Sequence, residues 1–286
     1  MAPKAGKAVV AALREDIDRL FAAEPEVRAD AEDSVHQMRV ATRRLRSVLR
    51  SYRRLFDAEE AAATVAELKW LADLLGVARD AEVRAERFTD LLAEHGEVPA
   101  AVTDALVGAA RRAYADAHAE VVDELDRKRY RRLRKVLSAW RTDPPLDRTL
   151  SGEPATDVFG NVARRDNKRL RALVFAEPTA PPAERVELLH DIRKAAKRLR
   201  YSCEAAGPTL DEPATELGTR AKRLQTVLGD HRDAVESREA ILAAAAAAPH
   251  DATTYELLAD AEEAAAGRAI GHYPAAASFC STVPEF

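Results

Sequence analysis

The feature that most constrains the fold of this chain is a basic helix that the sequence contains twice. Residues 35–46 read VHQMRVATRRLR, and residues 189–200 read LHDIRKAAKRLR. Both follow the frame apolar-His-x-apolar-Arg-x-Ala-x-(Arg/Lys)-Arg-Leu-Arg. A unit repeated at this length indicates that the chain is built from two related halves.

Helical spacing places the apolar residues of each copy on one seam and the cations directly beside it. The predicted seams consist of Val35, Met38, Thr42, Leu45, Leu49 and Tyr52 in the first copy, and of Leu189, Ile192, Ala196 and Leu199 in the second. The cations follow one position later, and one residue is about 100° of helical rotation. We therefore expect the cations to line a groove between packed helices rather than an outer face.

The charge of the first copy is costly for a helix that only serves as a scaffold. Residues 36–56 contain seven arginines and no carboxylate. Like charges three or four residues apart destabilise a helix by roughly 0.2–0.5 kcal/mol a pair, so five such pairs cost on the order of 1–2.5 kcal/mol. A bound anion explains this pattern more simply than a solvated face does. Arginine also suits phosphate, because its planar fork binds two oxygens and keeps its charge.

The sequence thus predicts two rows of anion-binding residues that together line a trough. These candidates are His36, Arg39, Arg43, Arg46, Arg50 and Arg53 in the first row, and His190, Arg193, Lys197 and Arg200 in the second. The first row would be about 25 Å long at roughly 1.5 Å per residue, which favours an extended polyanion over a single phosphate. Secondary candidates are Arg14, Lys69, Arg79, Lys168, Lys194, Lys222 and Arg232.

Two groups of candidates have open alternatives. His36 and His190 are either buried structural residues or anion ligands, and a neighbouring polyanion would favour their charged form. Arg79 and Arg232 either reach the anion or pair with a nearby carboxylate. The cations of residues 127–135 wrap more than one helical face, and we interpret them as a solvated outer surface.

Helical periodicity extends along the whole chain and predicts an all-α fold. The predicted helices lie at about 5–23, 31–56, 59–75, 80–95, 99–126, 129–141, 156–176, 182–206, 212–228, 233–248 and 252–270. The Pro-rich stretch 144–155 predicts a linker between a first half at 1–143 and a second half at 156–286. The motif Leu-Gly-x-x-Arg-Asp also occurs in both halves, at 75–80 and 228–233. Its glycines, Gly76 and Gly229, predict helix ends, and Asp80 and Asp233 predict the N-caps of the helices that follow.

Composition narrows the functional classes. The net charge is -4, so the chain as a whole has no bulk basicity to bind nucleic acid. Cys203 and Cys280 are too few for a disulfide framework and have no spacing for a metal site. No apolar run has membrane length, and no signal-type stretch opens the sequence, so the expected location is cytoplasmic.

The duplicated His-x-x-Arg-x-x-x-(Arg/Lys)-x-x-Arg helix, followed each time by Leu-Gly-x-x-Arg-Asp, resembles the CHAD family of conserved-histidine α-helical domains. The resemblance covers about Lys4 to Phe279. It implies two four-helix-bundle halves related by a pseudo-twofold axis, and a central basic groove that binds inorganic polyphosphate, with association to polyphosphate granules. The family's groove cations correspond to His36, Arg39, Arg43 and Arg46 and to His190, Arg193, Lys197 and Arg200.

Two positions depart from the repeated pattern. Ala78 stands where the second half has His231, and Gly267, Gly271 and Pro274 interrupt the last helix. The second departure bears on how the second half closes.

The leading hypothesis is therefore a non-catalytic polyphosphate-binding protein with no cofactor, no metal site and no membrane partner; a monomer is the expected state. One alternative is a phosphoryl-transfer or polyphosphate-hydrolysing enzyme that uses His36 or His190. The other is nucleic-acid binding, for which aromatic residues are scarce near the stripes, with only Tyr52 and Tyr201.

Overall fold

The computed structural model describes residues 3–282, apart from the side chain of residue 249, and within that range the chain is helical with no β-sheet. The all-α prediction is confirmed. The helices are α1 (Ala5–Arg28), α2 (Ser34–Ser51), α3 (Ala58–Glu94), α4 (Ala100–Thr103), α5 (Ala109–Asp126), α6 (Lys128–Trp140), α7 (Ala155–Ala176), α8 (Pro182–Ala247), α9 (Ala252–Gly271) and α10 (Tyr273–Ala277). A π-helical turn, Asp104–Gly108, joins α4 to α5.

The Leu-Gly-x-x-Arg-Asp motifs lie inside helices, so the predicted helix ends at Gly76 and Gly229 are wrong. Helix α3 continues through Gly76 and Asp80, and α8 continues through Gly229 and Asp233. Asp80 and Asp233 are accordingly not N-caps. Each glycine lies beside a guanidinium, that of Arg39 on α2 for Gly76 and that of Arg193 in the first segment of α8 for Gly229.

Helix α2 ends earlier than predicted, at Ser51, because Tyr52 is fixed on other helices. The Tyr52 hydroxyl donates a hydrogen bond to the Ser202 carbonyl of α8 at 2.8 Å. Its ring packs on Phe159 of α7 at a centroid distance of 4.4 Å. Arg53 therefore lies in the 3-10 turn Arg53–Leu55 and not on the helix that carries the other arginines of the first row.

Helix α8 contains a sharp kink, which places its first segment against α2. Asp211 has φ 53° and ψ -138°, and Pro208 and Pro213 flank it. The predicted break between residues 206 and 212 coincides with this kink. Beyond the kink, α8 runs uninterrupted to Ala247, whereas the sequence predicted two helices there.

Three hydrophobic clusters stabilise the fold, and two of them combine residues from both predicted halves. The largest is formed by α1, α2, α3, α5 and α6, together with Phe159 of α7 and Ala206 of α8. A second cluster joins α7, α8 and α10, and a third joins the far end of α3 to α8 and α9. The division into two halves stays a prediction, and its outermost residues, 1–2 and 283–286, lie outside the described range.

The predicted linker at 144–155 is hydrogen-bonded to the starts of α3 and α1. Asp57 donates its backbone N–H to Pro145 at 2.8 Å, and Ala5 donates to Glu153 at 2.9 Å. At the other end of the chain, α10 completes the second cluster with the buried residues Tyr273, Ala276 and Ala277. The interruptions at Gly267 and Gly271 therefore do not open the second half, because α9 continues to Gly271 and α10 packs back onto the core.

Candidate anion-binding cleft

The apolar seams of the two repeated helices, α2 and the first segment of α8, are buried in two different hydrophobic clusters. The six predicted seam residues of α2 are each no more than 1 % exposed, and the four of α8 no more than 7 %. The seam prediction is confirmed. The two helices approach each other beside these seams, where Arg44 pairs with Glu204 and the Tyr52 hydroxyl donates to the Ser202 carbonyl.

A cavity of about 370 Å³, which we call the basic cleft, lies between the two rows. Seven cations line it, namely Arg43, Arg46, Arg50, Arg169, Lys194, Lys197 and Arg198. Asp191 is the one carboxylate in its lining, and it forms an ion pair with Lys194 at 2.5 Å. The cleft thus concentrates positive charge on a chain whose net charge is negative.

Arg43 and Arg46 contribute unneutralised charge to the cleft. Both are half-buried, and no carboxylate of the described chain forms an ion pair with either. Burial lowers the pKa of Arg43, and the neighbouring Arg39 and Arg193 lower it further. Burial likewise lowers the pKa of Arg46, with Arg50 adding to the effect. Lys197 is the residue of the second row that lines the cleft together with these arginines of the first row.

Arg39 and Arg193 occupy equivalent environments in the two repeats. A Cβ built on Gly76 would lie 3.5 Å from Nη2 of Arg39, and one built on Gly229 would lie 3.5 Å from Nη2 of Arg193. The Nε of each arginine is buried with no hydrogen-bond partner. Arg39 forms an ion pair with Asp80 at 2.9 Å, and Asp233 acts electrostatically on Arg193. The Leu-Gly-x-x-Arg-Asp motif therefore positions these two guanidinium groups.

The two histidines also lie beside cations. Nη1 of Arg232 is 2.8 Å from Nδ1 of His190. Burial lowers the pKa of His190, and Lys194 and Arg232 lower it further. His36 has a lowered pKa for the same reasons, burial first and then the charge of Arg79. In the absence of an anion, both imidazoles are thus biased toward the neutral form.

Four of the ten primary candidates line the basic cleft, namely Arg43, Arg46, Arg50 and Lys197, whereas His36, Arg39, Arg53, His190, Arg193 and Arg200 do not. Arg200 donates to Glu204 at 2.6 Å and lies over the Tyr201 ring, 5.2 Å from its centroid. Arg53 is exposed and lines a neighbouring cavity instead. Arg50 lines both cavities, so it connects them.

Most secondary candidates interact with the protein's own oxygens. Arg14 donates to the Arg141 carbonyl at 3.0 Å, and Lys69 pairs with Asp73 at 2.6 Å. Arg79 pairs with Glu82 at 2.8 Å and Arg232 with Glu236 at 2.5 Å. Arg79 and Arg232 thus each pair with a nearby carboxylate, which is one of the two alternatives that the sequence left open.

Lys168 and Lys222 differ from the other secondary candidates. Both are exposed, and neither forms an ion pair with a residue of the described range. Neither lines the basic cleft. They add positive charge to the surface without belonging to the cavity.

Sequence reasoning missed Arg169 and Arg198, which line the cleft. Arg198 and its repeat equivalent Arg44 are the invariant arginine of the frame, and each meets a buried aspartate. Nε of Arg44 lies 2.7 Å from Asp16, and Nε of Arg198 lies 3.1 Å from Asp166. The occurrence of this arginine in both repeats could have marked it as important. Helical spacing within one helix, however, does not reveal that a second helix places an aspartate beside it.

The outer basic cluster at residues 127–135 lies on α6, as an exposed surface. Arg129 pairs with Glu67 at 2.7 Å and lies over the Trp70 ring. Arg134 pairs with Glu24 at 3.1 Å. Its interpretation as a solvated face is confirmed by the exposure of these side chains.

Other features have no bearing on the cleft. No three His, Cys, Asp or Glu side chains between residues 3 and 282 are arranged to hold a metal ion. In the same range no helix has the length and apolarity needed to cross a bilayer. Cys203 and Cys280 are free thiols in the core.

Comparison with known proteins identifies the family. The model of the CHAD domain matches residues 11–242. The chain belongs to the CHAD domain family. Two Mycobacterium tuberculosis proteins, each named only as uncharacterized, Rv2226 of strain H37Rv and MT2285 of strain CDC 1551, are 41 % identical to it over 254 residues. That alignment covers 86 % of this chain and 48 % of each relative, so the chain spans about half their length.

Two solved structures share the CHAD fold. PptA from Streptomyces chartreusis superposes with a TM-score of 0.80 at 19 % identity, covering 96 % of this chain and 99 % of PptA. The CHAD domain from the plant Ricinus communis superposes with a TM-score of 0.72 at 20 % identity, covering 99 % of this chain and 94 % of that domain. At these identities the likeness concerns the fold alone.

Proposed function

We propose that this CHAD-family chain binds inorganic polyphosphate along the basic cleft between α2 and the first segment of α8. The observation that carries the proposal is the lining of the cleft, which has seven cations and one carboxylate. The carboxylate is already paired with Lys194. Arg198 is paired with the buried Asp166, and the other five cations form no ion pair within residues 3–282, so a polyanion would neutralise them.

The chemistry of the cleft favours linked phosphates over other anions. Arginine binds phosphate oxygens in pairs and keeps its charge when partly buried. Arg43, Arg46 and Arg50 follow one another along α2, so successive phosphates of one chain would meet successive guanidinium groups. Base stacking has less support, since Tyr201 is the one aromatic residue in the lining and it is buried.

We further propose that binding occurs without turnover and that it directs the protein to polyphosphate granules. General acid–base chemistry needs a group that exchanges protons near neutral pH. The cleft lining offers arginines, lysines and one ion-paired aspartate, while both histidines lie outside it. Sustained phosphate release on incubation with polyphosphate and divalent cations would contradict this part of the proposal.

The first prediction tests the proposal by salt. Polyphosphate affinity should fall roughly tenfold to a hundredfold between about 50 and 200 mM salt, because each neutralised phosphate releases a condensed counterion. Isothermal titration with long-chain polyphosphate at several salt concentrations measures this slope. An affinity that is insensitive to salt, or single-stranded RNA that displaces polyphosphate at equal charge, would contradict the proposal.

The second prediction concerns pH. His36 and His190 have pKa values below the ordinary 6.5 because of burial and neighbouring cations, and the phosphates of a chain that extends beyond the cleft toward them would raise these pKa values. Between the free and bound pKa values, binding takes up protons, so polyphosphate affinity should fall as pH rises through that interval. Titrations over the range of about pH 5 to 8, where histidine changes charge, measure the slope.

The controls for this prediction are His36→Gln and His190→Gln, singly and together. Each replacement should flatten the pH dependence while leaving the affinity at the alkaline end nearly unchanged. A slope that the double variant retains in full would show that other groups take up the protons.

A further inference from the structure

A second cavity lies at the end of the basic cleft, and its lining combines apolar side chains with arginines. Its volume is about 430 Å³, within the range of small-molecule sites. Its apolar lining includes Leu49, Phe56, Ala61 and Val65. Arg50, Arg53, Arg54 and Arg198 complete it, and we call it the arginine-rimmed pocket.

The apolar side of this pocket is part of the rigid core. Leu49 is 1 % exposed, and Phe56 and Ala61 are each 4 % exposed. The Phe56 ring stacks on Trp140 at an interplanar angle of 5°. The pocket therefore exists before a ligand binds, and a ligand would not need to order it.

The end of α2 brings the charges to this apolar surface. Because α2 stops at Ser51, the 3-10 turn Arg53–Leu55 carries Arg53 and Arg54 toward the first turns of α3. Arg50, Arg53 and Arg54 form no ion pair with residues 3–282, whereas Arg198 pairs with Asp166. Three unneutralised guanidinium groups thus border a preformed apolar cavity.

Inorganic polyphosphate alone does not account for this combination. It has no apolar surface, so it gains nothing from Leu49, Phe56 or Val65. No side chain of the lining is a hydrogen-bond acceptor, so the lining offers no partner to the donor groups of a polar ring such as a nucleobase. An anion that carries an apolar group fits both parts, because burial of that group is favourable at roughly 25 cal/mol per Å².

We propose that the arginine-rimmed pocket binds the apolar group of an organic phosphate ester whose di- or oligophosphate extends into the basic cleft. Arg50 and Arg198 line both cavities and would hold the phosphates at the junction. The inference rests on the proposed function, since it uses the same cleft for the phosphates. It adds a ligand class that inorganic polyphosphate does not include.

The test compares two diphosphate esters of equal charge, geranyl diphosphate and methyl diphosphate, by isothermal titration of the full chain. Geranyl diphosphate should bind at least tenfold more tightly. Adenosine diphosphate, as a third arm, separates a hydrocarbon group from a nucleoside, and it should bind less tightly than geranyl diphosphate. Equal binding of the two esters within twofold, or tightest binding of adenosine diphosphate, would overturn the proposal.

A matched pair of variants locates the effect. Ala62 is exposed and lines the pocket, and Ala63 is exposed on the same helix but does not line it. Ala62→Gln places an uncharged polar side chain in the cavity and should reduce the geranyl preference to less than threefold, while Ala63→Gln should leave it unchanged. A preference that survives Ala62→Gln would contradict the site.

Long-chain inorganic polyphosphate, titrated into the same protein, separates the two proposals. Polyphosphate binding together with equal binding of the two esters would overturn the pocket alone. Loss of polyphosphate binding would contradict the proposed function, and the ratio between the two esters would still decide the pocket.

Discussion

Reversal of two charges in the basic cleft, Arg43→Glu with Lys197→Glu, is expected to weaken polyphosphate binding roughly a hundredfold or more. Two unit charges about 4 Å apart interact by about 1 kcal/mol in water and about 4 kcal/mol at an effective dielectric constant of 20. Each reversal replaces one such attraction with a repulsion, and about 1.4 kcal/mol corresponds to a tenfold change in affinity. Neither residue forms an ion pair within the described range, so the two substitutions break no salt bridge. Titration with long-chain polyphosphate at fixed salt measures the change.

The matched control has the same change in net charge on the outer surface. Arg131 and Lys135 are exposed on α6, and no described carboxylate forms an ion pair with either. Arg131→Glu with Lys135→Glu should reduce the affinity by less than about threefold, as expected for distant charges screened by salt. Circular dichroism melting curves would establish that both double variants fold. Equal losses in the two double variants would show that net charge, and not the cleft, determines binding.

Removal of the Tyr52 side chain is expected to produce the largest loss of stability. Tyr52 is 1 % exposed, its ring contacts Phe159, and its hydroxyl donates to Ser202. Tyr52→Ala should lower the free energy of unfolding by about 3–5 kcal/mol, since truncation of a buried aromatic residue loses transfer free energy and leaves a cavity. Urea denaturation followed by circular dichroism measures this value. Because Tyr52 fixes the end of α2 on α7 and α8, the variant should also loosen the spacing of the two basic rows.

Two further variants separate the contributions of Tyr52. Tyr52→Phe retains the ring and removes one hydrogen bond, so it should cost about 0.5–1.5 kcal/mol, because the Ser202 carbonyl lies inside α8 and keeps its helical partner. Phe175→Ala removes an aromatic ring that is 57 % exposed and should change stability by less than about 0.5 kcal/mol. A loss for Tyr52→Ala no larger than that for Phe175→Ala would contradict the anchoring role.

Errors in helix boundaries show where local patterns were insufficient. Gly76 and Gly229 have the sequence context of helix ends, yet α3 and α8 continue through them, and the glycines lie beside the guanidinium groups of Arg39 and Arg193. The early end of α2 has a similar origin, since contacts of Tyr52 with distant residues determine it. In both cases the contacting residue is distant in sequence, and helical periodicity does not identify it.

The roles of individual cations were also decided by residues distant in sequence. Arg44 and Arg43 are neighbours in a run of arginines, but Arg44 meets the buried Asp16 while Arg43 has no acidic partner in the described range. Arg200 belongs to the predicted row, yet Glu204 one turn away accepts its hydrogen bond. Within a run of basic residues, the acidic side chains that lie nearby in the fold therefore determine which cations remain unpaired.

The sequence by itself determined the all-α class, the two buried seams and the position of the cations beside them, because helical geometry converts spacing along the chain directly into direction around an axis. Only the tertiary structure decided which cations remain unneutralised, that α2 and α8 enclose a common cleft, and that an apolar pocket opens at its end. Those properties depend on distances between residues far apart in sequence, and the packing of whole helices determines such distances.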